Sequence, residues 1–126
     1  MTKRKLLILD EDTNRKNNFA SRLRSLEYDI ELATGGFHAL HLIEKFSYAS
    51  VLIFDDMNDM PGNEVLTLMR ENFSKTKLPI LFVSKNPSEE KILELFKEGV
   101  NDFIAYSPNF FAQVVEKLKK HVVIKK

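Results

Sequence analysis

Val51-Leu52-Ile53-Phe54-Asp55-Asp56 is the stretch on which the fold turns: four apolar residues run directly into two carboxylates. A short apolar run of β-branched and aromatic residues suits a strand covered on both faces, as in a parallel sheet. Open α/β sheets bind their ligands outside the carboxyl ends of their strands, so an acid in that position marks a candidate site. Leu6-Leu7-Ile8-Leu9 is a second such run, closed by Asp10-Glu11-Asp12. Leu78-Pro79-Ile80-Leu81-Phe82-Val83 is a third, with Pro79 near its start, and Phe103-Ile104-Ala105 is a shorter one. Tyr28 to Ala33 carries Asp29 and Glu31 in alternation, the pattern of an exposed edge strand.

Amphipathic segments separate these runs. Phe19, Leu23 and Leu26 give a helix over roughly 13–26, and Ala39, Leu42, Ile43 and Phe46 give the next. Thr34-Gly35-Gly36 is a turn signal before the second helix, and the Asn, Asp, Pro and Gly content of 56–62 makes that stretch a loop. Val65, Leu66 and Met69 place a helix at roughly 63–72. Asn86-Pro87-Ser88-Glu89 reads as a helix start with Asn86 as cap, and Gly99 as the stop. Ser107-Pro108 opens the last helix, whose stripe is Phe111, Val114, Val115, Leu118 and Val122. The strand–helix alternation occurs five times. Parallel strands need crossover helices, and these are right-handed, so the expectation is an α/β, (βα)5 doubly wound, three-layer domain. Its common strand order, 2-1-3-4-5, brings Asp10, Glu11 and Asp55 to the switch point, with Ser84 and Tyr106 next along the edge.

Bulk composition narrows the function. The 126 residues fit one domain, and 44% hydrophobic with 29% charged residues is globular composition. Nineteen basic residues against 18 acidic ones leave no global field for nucleic acid or anionic lipid. The absence of cysteine excludes disulfides and thiol chemistry. No apolar stretch approaches the ~20 residues of a spanning helix, so a cytoplasmic domain is the default expectation. At the switch point, like charges a few ångström apart raise one another's pKa unless a cation intervenes. A hard divalent ion such as Mg²⁺ suits that oxygen set, and a carboxylate beside it can attack a phosphoryl group. The bland reading of the same acids is a set of solvated loop residues.

Over essentially its whole length the sequence resembles the receiver domain of bacterial two-component response regulators. The resemblance rests on Leu6–Asp12, Thr34-Gly35-Gly36 with Ala39-Leu40, Val51–Asp55, Met60-Pro61 with Glu64-Val65-Leu66, Val83-Ser84, and Glu98 to Ile104. It implies a single receiver domain over 1–126 with a flavodoxin-like sheet. Asp55 would accept a phosphoryl group from the phosphohistidine of a sensor histidine kinase or phosphotransfer protein, with Asp56 as rival acceptor. Mg²⁺ would be held by Asp10, Glu11, Asp55 and the carbonyl of Met57. Ser84 would be the switch hydroxyl and Phe103 the aromatic switch. Such a chain is at most an enzyme on itself, taking up and losing the phosphoryl group.

Two departures stand out. Where the family has a lysine before a proline, this chain has Tyr106-Ser107-Pro108, and a tyrosine brings no positive charge. The loop from Asp55 to Met60-Pro61 is also longer than usual, and the step from Pro61 to Glu64 shorter. Lys85 is a candidate replacement for the lost charge, its bland alternative being a solvated loop lysine. His38, His41 and His121 have no partner spacing and are read as surface. The resemblance implies a stand-alone receiver, monomeric or weakly dimeric, that signals to an output protein through helix four, strand five and helix five. The competing reading is a phosphorylation-independent pseudo-receiver. A flavodoxin-like cofactor binder is a third, opposed by the acids that stand where a phosphate-cradling loop is needed.

Overall fold

The computed structural model describes residues 4–55 and 59–122. Five strands, β1 (Arg4–Leu9), β2 (Tyr28–Ala33), β3 (Ser50–Phe54), β4 (Ile80–Ser84) and β5 (Asp102–Ala105), alternate with five helices. The helices are α1 (Thr13–Arg24), α2 (Gly36–Lys45), α3 (Gly62–Arg70), α4 (Glu89–Glu98) and α5 (Phe110–His121). The strands are all parallel, as the strand–helix alternation requires, and lie in the order β2-β1-β3-β4-β5. Every residue of β3 and β4 is buried, because helices cover both faces of the sheet. Alternation along each strand then sorts the core into two clusters. Leu7, Leu9, Ile53 and Phe82 meet α2, α3 and α4 through Leu42, Val65, Leu66 and Leu95. Leu6, Ile8, Leu52 and Phe54 meet α1 and α5 through Phe19, Leu23, Val114 and Leu118.

Two glycines set how closely the helices approach. A Cβ on Gly62 would stand 2.9 Å from Phe82 Cζ and 3.1 Å from Ile53 Cγ2, so α3 lies against the sheet where no side chain fits. Gly99 ends α4 at φ 106°, a left-handed conformation that only glycine takes without cost, and its N–H reaches the Leu95 and Phe96 carbonyls.

Some element boundaries differ from the sequence expectation. α1 stops at Arg24, and Leu26 is 42% exposed because the chain turns out at Glu27, φ 70°. Phe46 likewise falls past the end of α2 and is exposed. The cap of α4 is Ser88, whose hydroxyl accepts the Lys91 N–H at 3.1 Å; Asn86 lies upstream of it. α5 begins at Phe110 after Asn109, two residues beyond Ser107-Pro108.

His121 is not a surface residue: its Nε2 lies 2.9 Å from Asp102 Oδ2, and Lys117 Nζ stands 3.5 Å from the same oxygen. His38 is also half-buried, its Nδ1 accepting the Thr34 N–H at 3.0 Å. Burial pushes the Asp102 carboxyl up, but His121, the Phe103 N–H and Lys117 together outweigh it and hold it below the usual carboxylate range. The unfolded chain therefore takes up this proton at a higher pH than the folded chain. The resulting stability is present above about pH 4 and is lost as pH falls through the depressed folded value. Asp102→Asn is expected to flatten this acid limb, read from urea midpoints taken between about pH 6 and pH 3.

Candidate phosphoacceptor site

The site forms where β1, β3 and β4 end. Asp55 follows the last residue of β3, and its N–H donates to the Val83 carbonyl at 2.9 Å, which fixes the backbone beside β4. Its side chain is 30% exposed, enough to meet a partner from solvent. Oδ2 accepts the Ser84 hydroxyl at 2.9 Å, and Ser84 itself is buried. The same Oδ2 pairs with the ammonium of Lys91, which reaches over from the first turn of α4. Lys85 and Asn86 line the cleft beside Asp55 and Ser84. The sequence candidate for the counter-charge, Lys85, thus lies at the site, but the cation bonded to Asp55 is Lys91, which sequence reasoning passed over.

Asp10, at the end of β1, is 1% exposed. A lone buried carboxylate is costly, and here it is fully engaged. Arg15 of α1 donates Nε to Oδ2 at 2.6 Å and Nη2 to Oδ1 at 2.5 Å, a two-pronged pair, while the Asp12 N–H adds a third donor to Oδ1 at 3.0 Å. The guanidinium lies 4.7 Å from the centre of the Phe54 ring and 5.2 Å from that of Tyr106. Tyr106 in turn packs on Phe110 at 4.6 Å, and Phe110 on Phe19 at 5.2 Å. Tyr106 is therefore a wall for Arg15. Asp12 serves as the cap of α1, its carboxylate accepting the Arg15 N–H at 3.0 Å.

Glu11 is half-buried and lines a separate cleft with Lys16, His38 and Asp59. Asp59 is an acid that the sequence reading left without a role. Its oxygens accept the Gly36 N–H at 3.0 Å and the Phe37 N–H at 3.2 Å, so the loop after β3 caps α2 from 23 residues away. Those backbone donors, Gly36 foremost, hold the Asp59 carboxyl below the usual range against a smaller opposing effect of desolvation. Phe103 is partly buried and packs on the α2–α3–α4 side of the core. Asp56 and Met57 lie outside the described residues.

The oxygen chemistry expected for Mg²⁺ is present in Asp10, Glu11 and Asp55, but among the described residues two of these three carboxylates are bonded to basic side chains. Both oxygens of Asp10 are held by Arg15 and one of Asp55 by Lys91. Among the described residues, no three histidine, aspartate or glutamate side chains converge as a metal cage. Among these residues, too, no helix is long and apolar enough to cross a membrane.

The chain is 29% identical over 117 residues to chemotaxis protein CheY-3 of Vibrio cholerae, covering 92% of this chain and 89% of that one. It is 28% identical over 116 residues to a CheY homolog of Campylobacter jejuni, with 89% of each covered. The CheY-like receiver domain protein of Methanospirillum hungatei superposes with a TM-score of 0.86 at 21% identity, over 96% of this chain and 94% of that chain. The Francisella response regulator 1452 receiver domain does so at 0.85 and 22%, over 94% and 96%. With the response regulator receiver domain model matching residues 6–109 as well, the chain belongs to the response regulator receiver domain family.

Proposed function

We propose that the chain is a signalling receiver in which Asp55 accepts a phosphoryl group from the phosphohistidine of a histidine kinase or phosphotransfer protein. The observation that carries this reading is a reachable carboxylate whose Oδ2 already holds a hydroxyl and an ammonium, from Ser84 and Lys91. An Asp55 oxygen attacks phosphorus; the O–P bond forms as the N–P bond breaks, and the imidazole nitrogen keeps the electron pair and takes a proton from solvent. Ser84 and Lys91 are placed to follow the negative charge onto the phosphoryl oxygens. Receiver domains generally use Mg²⁺ at this site; here Arg15 and Lys91 stand against the same carboxylates.

The output face is α4, β5 and α5. α4 presents Leu93 and Phe96, 65% and 42% exposed, and Tyr106 follows β5 at 37%. Lys91 lies in that same helix, so a change of charge on Asp55 acts directly on α4, biasing its position for an output protein. A pseudo-receiver reading draws on the pairing of Asp10 with Arg15, which neutralises the pocket without a ligand.

One measurement separates the two. Incubation of the chain with a small phosphodonor, followed by intact mass, is expected to give a single phosphoryl adduct that disappears in Asp55→Asn. No adduct at any donor concentration supports the pseudo-receiver. An adduct that survives Asp55→Asn and is lost in Asp56→Asn assigns the chemistry to the neighbouring residue.

A further inference from the structure

We propose that Arg15 is the resident counter-cation of the acid pocket, so that a divalent cation binds Asp10 only by displacing it, and therefore weakly. The argument starts from burial. Asp10 is 1% exposed and the Arg15 side chain 7%, so neither group has bulk water to fall back on. A carboxylate in that position needs a cation, and a planar guanidinium meets its two oxygens with two parallel N–H donors. The 2.6 and 2.5 Å bonds, with the Asp12 N–H on Oδ1 as well, engage both carboxylate oxygens.

Arg15 is also held from its other side. Phe54, at the end of β3, and Tyr106, after β5, place their rings 4.7 and 5.2 Å from the guanidinium carbon, within cation–π range. Tyr106 is backed by Phe110, and Phe110 by Phe19, so the wall that supports Arg15 continues into the core. The Asp12 carboxylate caps the Arg15 N–H and fixes the first turn of α1 from which the side chain springs. An ion entering at Asp10 must break the two-pronged pair and pull a guanidinium off two rings. Metal affinity at this pocket is therefore set by a residue that does not ligate metal.

The inference goes beyond phosphoryl transfer and is tested without a phosphodonor, so its outcome is independent of whether Asp55 is ever modified. The full chain, its Arg15→Met variant and its Arg15→Lys variant are titrated with Mg²⁺ by calorimetry, and melted with Mg²⁺ or with a chelator. The wild-type chain is expected to bind Mg²⁺ weakly and to melt at the same temperature in both buffers. Arg15→Met, which leaves Asp10 buried and unpaired, is expected to melt roughly 10 °C lower in chelator. It should recover most of that loss in Mg²⁺ and bind the ion roughly tenfold more tightly than wild type. Arg15→Lys keeps a charge without the fork or the ring stacking and should fall between; it carries the test if Arg15→Met does not fold. Wild-type binding as tight as that of the variants, or variants that gain nothing from Mg²⁺, overturns the proposal.

Discussion

Lys91→Met is expected to slow phosphoryl transfer to Asp55 by about 10²-fold while moving the melting temperature little. The two halves of this expectation have different causes. The Lys91–Asp55 pair is partly exposed, with side-chain exposures of 36% and 30%, so solvent screens it and its loss costs the folded state little. During transfer, however, negative charge moves from the carboxylate onto the phosphoryl oxygens, and an ammonium already in position stabilises it without reorganisation. Ser84 contributes a neutral donor to the same oxygen, and no lysine stands at position 106 to share the load. Methionine keeps the length and apolar stem of the side chain, so the first turn of α4 keeps its packing while the charge is gone. The measurement is the time course of adduct formation by intact mass, with Lys85→Met as the companion. A Lys91→Met rate equal to wild type, together with a large loss in Lys85→Met, would move the counter-charge to the residue that the sequence singled out first. Lys91→Met should also weaken the coupling between Asp55 and α4, visible as a smaller phosphorylation-dependent change in amide shifts around Leu93 and Phe96.

The strands were legible because each carries its own message. Leu6–Leu9, Val51–Phe54 and Ile80–Val83 are apolar without alternation, a pattern that only burial on both faces explains. Once the sheet is parallel, the arrival of Asp10, Asp55 and Ser84 at one edge follows from topology alone. Helix ends were less legible. Leu26 and Phe46 continue the apolar stripe past α1 and α2, but the helices stop first, at Arg24 and Lys45, and the left-handed turn that follows α1 falls on Glu27, with no glycine to announce it. Asn86 and Ser88 are both good caps on paper, and the Lys91 N–H decides for Ser88. What sequence could not supply was the pairing of charges. Lys91 lies 36 residues from Asp55, and Asp59 lies 23 from the helix it caps. Arg15 is only five residues from Asp10, but that spacing runs across a strand end and a helix start, where no periodicity rule applies. Sequence reasoning saw three acids and inferred an ion to neutralise them; two of the three also have basic side chains of this chain bonded to them.

Arg70→Ala is expected to lower stability by about 3–5 kcal/mol, because one side chain carries five hydrogen bonds that no neighbour can replace. Arg70 ends α3 and its guanidinium spreads over the opposite edge of the sheet from Asp55. Nε donates to the Gly99 carbonyl at 2.7 Å, Nη1 to Leu78 at 2.9 Å and to Phe73 and Ser74 at 3.2 Å, and Nη2 to Asn101 Oδ1 at 2.7 Å. Asn101 passes the connection on, its Oδ1 accepting the Ile80 N–H at 2.8 Å and its amide donating to Lys75 at 3.0 Å. One side chain thus fixes the α3–β4 loop, the start of β4 and the turn from α4 into β5. Alanine leaves several of those carbonyls partly buried with no donor, and each such loss costs about 1–3 kcal/mol where water does not replace it. Arg70→Lys should recover part of the stability, because one ammonium reaches one or two of the carbonyls but lacks the planar fork. Urea unfolding of the three proteins gives the ranking wild type, Arg70→Lys, Arg70→Ala; a loss below about 1 kcal/mol in Arg70→Ala would mean that water replaces the guanidinium there. Because this knot and Asp55 lie at opposite ends of the strands, folded Arg70→Ala should accept a phosphoryl group at the wild-type rate. Lys91→Met reverses that pattern, with a slow reaction in a stable fold. The pair of variants therefore separates what holds the domain together from what the domain does.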